Sequence, residues 1–112
     1  VTQDGHVRFA TGSAGSNRIR SAVLGVVSNV LDFGLSLEEA VEAPRLHVEG
    51  ETVEVEGGTS VEASERLAAD GHHVHLWKGK NLFFGGAHSV AREDDRLMAH
   101  GDSRRGGAGL TL

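Results

Sequence analysis

The chain has 112 residues, of which sixteen are glycine, one is proline and none is cysteine, and this length suits one domain at most. Absent cysteine excludes a disulfide framework, thiol catalysis and cysteine-ligated metals. The formal charge of −5 argues against broad nucleic-acid binding, and no apolar run reaches the ~20 residues that span a bilayer. Because the chain begins with Val1 instead of methionine, we expect a fragment or a processed product.

The first third of the chain is predicted to form a strand followed by a long helix. Val7 and Phe9 alternate with polar residues after an Asp-Gly turn, which predicts a short strand. A glycine- and serine-rich stretch follows at residues 12–16. Apolar residues spaced four, three, one, three and one apart then predict a helix over residues 17–33. Gly34 is expected to end this helix in a left-handed conformation.

A second helix and a hairpin come next. Ser36 and Glu39 have the spacing of a capping box, and Pro44 ends the short helix that this box opens. Residues 46–49 and 52–56 alternate at period two, which predicts a hairpin with one apolar face.

The remaining residues are predicted to form one helix and three strands. Thr59 and Glu62 indicate a second capping box, and the helix over residues 60–70 ends at Gly71. Period-two alternation then predicts strands over residues 72–77, 81–92 and 96–101. The order β, α, α, β, β, α, β, β, β indicates an α+β layered fold with a mixed sheet and packed helices.

The strongest candidate for chemistry is the junction at residues 12–19, between the first strand and the long helix. The first N–H groups of a helix have no internal partners and lie at the positive end of its dipole. Glycines allow close approach, so such a junction suits an anion or the oxyanion of acyl transfer. Neither the Walker A nor the dinucleotide-binding spacing is present. The structural alternative, favoured by pattern alone, is an ordinary N-cap with a flexible lead-in.

The histidines favour structural interpretations. His73 and His75 share one strand face, but a zinc site needs further ligands, so a solvated face is preferred. No metal and no cofactor is predicted. His88 and Ser89 are adjacent in a strand and therefore point to opposite faces, which prevents them from acting as a base and nucleophile pair.

The charged residues outside the junction are also expected to be structural. Arg104 and Arg105 are interpreted as a surface cluster or as a pair with Asp102, in preference to a carboxylate clamp. The glutamates of the predicted hairpin are expected to be mostly exposed, namely Glu49, Glu51, Glu54 and Glu56.

From Gly12 onward the sequence resembles the gamma-glutamyltranspeptidase family. The resemblance is carried, in the family's order, by residues 12–19, 29–45, 53–56, 70–71, 85–90 and 101–105. The most specific part is the run Asn29–Arg45, which ends in Ala-Pro-Arg. The matching region is the C-terminal part of the family's small subunit, so residues 1–112 are expected to be a single partial domain.

The resemblance implies an N-terminal-nucleophile hydrolase with a four-layer αββα sandwich. Precursors of the family cleave themselves into a large and a small subunit, and the new N-terminal threonine attacks a gamma-glutamyl amide such as glutathione. The acyl group then passes to water, an amino acid or a peptide. The family's oxyanion hole uses the N–H groups of two adjacent glycines, which correspond to Gly15 and Ser16 here. Serine at the second position departs from the family's glycine. Its Cβ is expected to narrow the approach of a ligand to the N–H group or to require a different backbone dihedral.

The resemblance places the remaining active-site groups upstream of Val1. Thr2 and Thr11 do not match the nucleophile's context, and the groups that hold the glutamyl amino and carboxylate ends are missing as well. The isolated chain is therefore expected to be inactive, with the large subunit and the upstream part of the small subunit as partners. The family favours a secreted or periplasmic location, and a cytoplasmic one stays open.

Two alternatives to this function stay open. The first is a non-catalytic assembly module, in which an uncovered apolar face around Val53 and Val55 drives self-association. The second is a related specificity within the family, either acylase-type hydrolysis or polyglutamate processing.

Overall fold

The computed structural model describes residues 1–112, which form eight strands, three α-helices and two 3₁₀ turns. The strands are β1 (Thr2–Gln3), β2 (His6–Val7), β3 (Phe9–Ala14), β4 (Leu46–Glu49), β5 (Thr52–Val55), β6 (His73–Leu76), β7 (Gly86–Glu93) and β8 (Arg96–His100). The helices are α1 (Arg18–Leu31), α2 (Leu37–Glu42) and α3 (Val61–Ala69). The 3₁₀ turns are Leu82–Phe84 and Ser103–Arg105. The mixed α+β architecture predicted from the sequence is confirmed.

The strands form three separate small sheets. β1 and β2 pair with each other, while β3, β7 and β8 form an antiparallel sheet in that order. In the third sheet β4 runs antiparallel to β5, and β5 runs parallel to β6. The β3–β7 ladder ends where Ala14 lies opposite Gly86, so the chain leaves the sheet directly before residues 15–17.

The apolar core lies where α1 and α2 pack on the β3–β7–β8 sheet. Its buried members are Val26, Ala40, Val41 and Ala87. Helix α1 is rich in β-branched residues, which have low intrinsic helix propensity, so this packing is what stabilises it. None of the helices has the length and hydropathy that crossing a membrane requires.

The helix ends largely agree with the sequence prediction. Gly34, three residues beyond α1, has a φ of +66°, as expected for a left-handed terminator. The capping box before α2 is confirmed, since the Glu39 N–H donates to Ser36 Oγ at 3.3 Å and the Ser36 N–H donates to Glu39 Oε2 at 2.9 Å.

The second predicted capping box is wrong. The N-cap of α3 is Ser60, whose Oγ accepts from the Ala63 N–H at 3.1 Å. Thr59 instead donates its hydroxyl hydrogen to the Glu56 carbonyl oxygen at 2.9 Å. Two neighbouring hydroxyl residues precede this helix, and spacing alone selected the wrong one.

The predicted strand over residues 81–92 begins only at Gly86. Asn81 Oδ1 accepts from the Phe83 N–H at 2.8 Å, and this side-chain bond starts a 3₁₀ turn instead of a strand. Gly85 follows with a φ of +77°, which breaks the extended backbone before β7.

The expected apolar face of the hairpin is covered only in part. Val53 is 6% exposed and Val55 is fully buried, so the prediction that these two residues are uncovered is wrong. Leu46 and Val48, which pair with them across the hairpin, are nevertheless exposed. Val90 of β7 and Leu97 of β8 are exposed as well. These two strands belong to the sheet that α1 and α2 cover on its other side.

Candidate oxyanion site

The loop between β3 and α1 is formed by residues 15–17 and is called here the Gly15–Ser16 loop. Gly15 has a φ of +137°, a conformation that favours glycine. Ser16 does not have a positive φ, since Asp4 and Asp94 are the non-glycine residues that do. The departure from a second glycine therefore requires no unusual backbone conformation at residue 16.

The N–H groups of this loop have no partners within the chain. Neither the Gly15 nor the Ser16 N–H donates a hydrogen bond, whereas the Ser16 carbonyl oxygen accepts from the Ile19 N–H at 3.1 Å. Both donors precede the fourteen-residue helix α1, whose dipole is positive at this end. Two adjacent unpaired donors at such a position can bind one developing anionic oxygen.

A cavity of about 400 Å³ opens beside this loop. It is called here the loop cavity, and its lining is Ala14, Gly15, Ser16, Arg18, Asn81, Leu82, Phe83, Gly85 and Arg105. Another part of the lining comes from the 3₁₀ turn that precedes β7. The loop cavity is therefore lined by two N–H groups that can donate hydrogen bonds to an anion, by two arginines and by apolar side chains.

Arg105 fixes the end of β3 from the far end of the chain. Its Nη2 donates to the Ala14 carbonyl oxygen at 2.9 Å. Its aliphatic part lies against Gly86, where a Cβ would come within 2.5 Å of Arg105 Cδ. Arg105 is exposed, in agreement with the surface position predicted for it, but it also restrains the residue directly before Gly15.

Phe83, in the apolar wall of the loop cavity, is held between two side chains. Its ring stacks on Trp77 with centroids 4.7 Å apart. The Arg18 guanidinium carbon lies 4.0 Å from the same ring centroid, and Arg18 Nη2 also donates to Glu49 Oε2 at 3.0 Å. This arrangement joins the first residue of α1 to the β4–β5–β6 sheet.

Four charged residues form a buried ionic network in the interior: Arg45, Glu56, Asp102 and Arg104. Arg104 Nη2 lies 2.6 Å from Glu56 Oε2, and Arg45 Nη2 lies 2.6 Å from Asp102 Oδ2. A third contact joins Arg104 Nη1 to Asp102 Oδ1 at 3.1 Å. The structural pairing of Asp102 with an arginine predicted from the sequence is confirmed for Arg104.

Burial, charge and hydrogen bonding together shift the pKa values of three of these residues. Burial alone would raise the pKa of Asp102, but N–H bonds from Ala87 and Arg104 and the charge of Arg45 hold that pKa below its usual value. Burial lowers the pKa of Arg45, and the charge of Arg104 lowers it further. For Arg104, burial would lower the pKa, but the bond to Glu56 raises it.

The exposure predicted for Glu56 from the sequence is wrong. Glu56 was expected to be exposed with the other hairpin glutamates, yet it is fully buried. Besides Arg104, its carboxylate accepts from the Arg45 N–H at 3.0 Å and the Asn81 N–H at 2.9 Å. Alternation was misleading because Glu56 lies just beyond β5. A usable signal was its position directly before Gly57, where the strand pattern ends.

The other polar residues singled out in the sequence lie away from the loop cavity. Ser89 is buried and donates to Thr11 Oγ1 at 2.7 Å, whereas His88 is exposed, which confirms that the two residues face opposite sides. His73 is exposed, and His75 Nδ1 lies 2.7 Å from Glu54 Oε2.

The fold and the loop define a class of protein. The structure superimposes on the gamma-glutamyltranspeptidase from Pseudomonas nitroreducens in complex with L-DON with a TM-score of 0.83 and 31% identity, covering all of this chain and 59% of that one. The fold is thus that of the N-terminal-nucleophile hydrolases. The family model described as Gamma-glutamyltranspeptidase matches residues 1–112, and the chain belongs to this family.

Curated relatives are much longer than this chain. The glutathione hydrolase proenzyme of Escherichia coli (strain K12) is 40% identical over 78 residues, which are 68% of this chain and 13% of that protein. The acylase ACY 1 proenzyme of Pseudomonas sp. (strain SE83) is 39% identical over 72 residues, 64% of this chain and 13% of that protein. The chain therefore spans a small part of each proenzyme.

Proposed function

We propose that this chain is the oxyanion-binding segment of an enzyme that transfers the gamma-glutamyl group of glutathione-like amides to water, amino acids or peptides. The observation that carries the proposal is the pair of unpaired N–H groups of Gly15 and Ser16 beside the loop cavity. The similarity to a glutathione hydrolase proenzyme supports the choice of substrate. The catalytic role of Gly15 and Ser16 is part of this proposal.

The mechanism uses a threonine that lies upstream of Val1 in the parent protein. Its hydroxyl oxygen attacks the amide carbonyl carbon, and the carbonyl oxygen becomes an oxyanion that the Gly15 and Ser16 N–H groups bind. Collapse of this intermediate breaks the carbon–nitrogen bond. The proton lost by the threonine hydroxyl is transferred to the leaving nitrogen, so an amine is released and an acyl-enzyme ester remains. Water or an acceptor amine then attacks the ester. Each oxyanion donor contributes about 3 kcal/mol to such a step.

The arrangement around the loop fits this role. Oxyanion donors are effective when they are fixed before the reaction, so that no reorganisation is needed as charge develops. Arg105 restrains the Ala14 carbonyl on one side of the loop, and α1 restrains Ser16 on the other through the Ile19 N–H. The large subunit and the rest of the small subunit are proposed to complete the site.

The proposal is tested by comparing the parent protein with the isolated chain. The substrate is a gamma-glutamyl p-nitroanilide, whose hydrolysis releases a coloured amine. We expect turnover by the processed parent and none by residues 1–112 alone, because the nucleophile is upstream. Turnover by the purified chain would show that the nucleophile lies within it and would overturn this assignment.

The related acylase specificity has its own support in the 39% identity to the acylase ACY 1 proenzyme. An oxyanion hole contacts the carbonyl oxygen and does not distinguish one acyl group from another. The two functions can be distinguished by comparing the rates of hydrolysis of two anilides. One is the anilide of glutamate through its gamma-carboxyl group, and the other is the anilide of glutarate, which lacks the amino group. Preference for the glutaryl anilide would show that the site does not require the glutamyl amino group and would contradict the gamma-glutamyl specificity.

A further inference from the structure

His47 on β4 is a buried side chain with one unsatisfied nitrogen. It is 4% exposed, although its neighbours Leu46 and Val48 are exposed. Its Nδ1 lies 2.8 Å from Ser21 Oγ, and its Nε2 is buried without a hydrogen-bond partner. A buried polar atom without a partner costs about 1–3 kcal/mol. An apolar side chain at this position would avoid this cost. The presence of an imidazole therefore indicates that its hydrogen bond to Ser21 has a structural or functional role.

The Ser21 bond leads to the Gly15–Ser16 loop. Ser21 lies one turn after Arg18, the first residue of α1, and the Ile19 N–H of the same turn donates to the Ser16 carbonyl oxygen at 3.1 Å. A helical turn moves as a unit because its backbone is hydrogen-bonded. Holding Ser21 therefore holds Ser16, and with it the direction of the loop N–H groups.

The same imidazole also contacts the wall of the loop cavity. The His47 ring meets the edge of Phe83 with centroids 6.3 Å apart and an interplanar angle of 72°. Phe83 lines the loop cavity, whereas His47 does not. His47 thus lies behind the site, between α1 and the aromatic wall, and has no access to a substrate bound at the loop.

We propose that His47 is a positioning residue that acts through Ser21. Its hydrogen bond sets the rotation and axial position of the first turn of α1, and so aims the Gly15 and Ser16 N–H groups at the oxyanion. This inference rests on the proposed oxyanion role of the loop. Arg105 holds the β3 end of the loop, and the Ser21–His47 pair holds the α1 end.

The expected effect is on the rate of the chemical step. A displacement of ~1 Å at a catalytic group costs up to ~10²-fold in rate, and loss of one bond is expected to move the turn by less. We therefore expect kcat to fall about tenfold when the Ser21–His47 bond is removed. KM should change little, because the variants leave the lining of the loop cavity intact.

The test in the processed parent enzyme uses matched variants. Ser21→Ala and His47→Phe remove the bond, and Phe keeps the aromatic edge against Phe83. Ser28→Ala is the control, since this serine lies on α1 but donates to Asp32 Oδ2 at 2.6 Å. His47→Asn retains a polar atom near the Nδ1 position and should recover most of the lost kcat. A kcat for Ser21→Ala equal to that of Ser28→Ala, or no recovery by His47→Asn, would overturn the proposal.

A second readout uses the 112-residue chain and needs no activity. We expect Ser21→Ala and His47→Phe to shift the Gly15 and Ser16 amide resonances in ¹H–¹⁵N spectra, and the double variant to resemble either single one. Shifts no larger than those of Ser28→Ala would contradict the coupling. Failure of the oxyanion role itself is distinguishable, because it appears as full activity after removal of the Ser16 N–H while these shifts persist.

Discussion

Two polar regions of the molecule differ in how completely their hydrogen bonds are satisfied. In the buried ionic network, Asp102 accepts from the side chains of Arg45 and Arg104 and from two backbone N–H groups. At the Gly15–Ser16 loop, both residues are exposed and their N–H groups have no partners. The first region uses its polar groups to fix the fold, while the second leaves them available to a ligand.

The two regions are joined by consecutive residues of one 3₁₀ turn. Arg104 points into the buried ionic network, and Arg105 reaches the Ala14 carbonyl beside the loop. The turn is anchored by the Arg104 N–H, which donates to Asp102 Oδ1 at 2.9 Å. Damage to the network is therefore expected to affect both stability and the loop, whereas damage to the loop should leave the fold intact.

The largest expected loss of stability follows Arg104→Met. This change leaves the Glu56 carboxylate and the Oδ1 atom of Asp102 buried without the arginine that pairs with them. Breaking a buried ion pair in this way costs about 3–5 kcal/mol. The free energy of unfolding is measured by urea denaturation. Arg96→Met is the control, because Arg96 is exposed and makes no side-chain hydrogen bond, and should change the value by less than about 0.5 kcal/mol. Similar values for the two variants would show that the network does not hold the fold.

Acid should remove stability through two carboxylates. Burial would raise the pKa of Glu42, but bonds from Lys80, Ser103 and His100 hold it well below its usual range. The pKa of Asp102 is also lowered in the folded chain. Both groups therefore stabilise the fold above the ordinary carboxyl pKa of about 4 and lose this contribution as pH falls through their folded values.

The corresponding variant is Glu42→Gln. It should lower the free energy of unfolding at pH 7 by about 1.5–3 kcal/mol, the usual value of a hydrogen bond to a charged group, and flatten its loss between pH 4 and pH 2. Denaturation across this pH range measures both effects. Glu65→Gln, at an exposed glutamate of α3 without side-chain bonds, should leave the curve unchanged. An unaltered curve for Glu42→Gln would contradict the account.

A smaller effect tests the corrected start of α3. Ser60→Ala should cost about 1 kcal/mol, because the Ala63 N–H loses its acceptor, and Ser60→Asp should restore most of it. Thermal unfolding followed by circular dichroism measures these differences. Glu62→Gln should have little effect, since Glu62 is not part of a capping box. A larger loss of stability for Glu62→Gln than for Ser60→Ala would instead support a capping box formed by Thr59 and Glu62.

Most of the element order was predictable because local patterns determine it, but the sequence predicts one strand before α1 where the structure has three. The period of α1, the Ser36–Glu39 box and Gly34 are signals within one or two turns of chain, and all three agree with the structure. The start of β7 was not predictable in this way, because a side-chain bond from Asn81 replaces the extended backbone. Spacing does not reveal such competition.

The buried ionic network was only partly predictable, because its members are distant in sequence. Asp102 and Arg104 are two residues apart, and their pairing followed from that proximity. Arg45 and Glu56 join them across 57 and 48 residues, which no local pattern reports. His47 was missed for the same reason, since Ser21 lies 26 residues away. The loop was found because strand, glycines and helix are contiguous.

The central claim is that the Ser16 N–H binds the oxyanion, and the most direct test compares Ser16→Pro with Ser16→Ala in the processed parent enzyme. Proline lacks the N–H, has a φ fixed at about −65°, and is tolerated at the start of a helix, where that N–H has no internal partner, while alanine keeps the donor. With both variants folded, we predict that Ser16→Pro lowers kcat for the gamma-glutamyl anilide by about 10²–10³-fold and that Ser16→Ala stays near the parent value. Equal kcat values for the two variants would contradict the account.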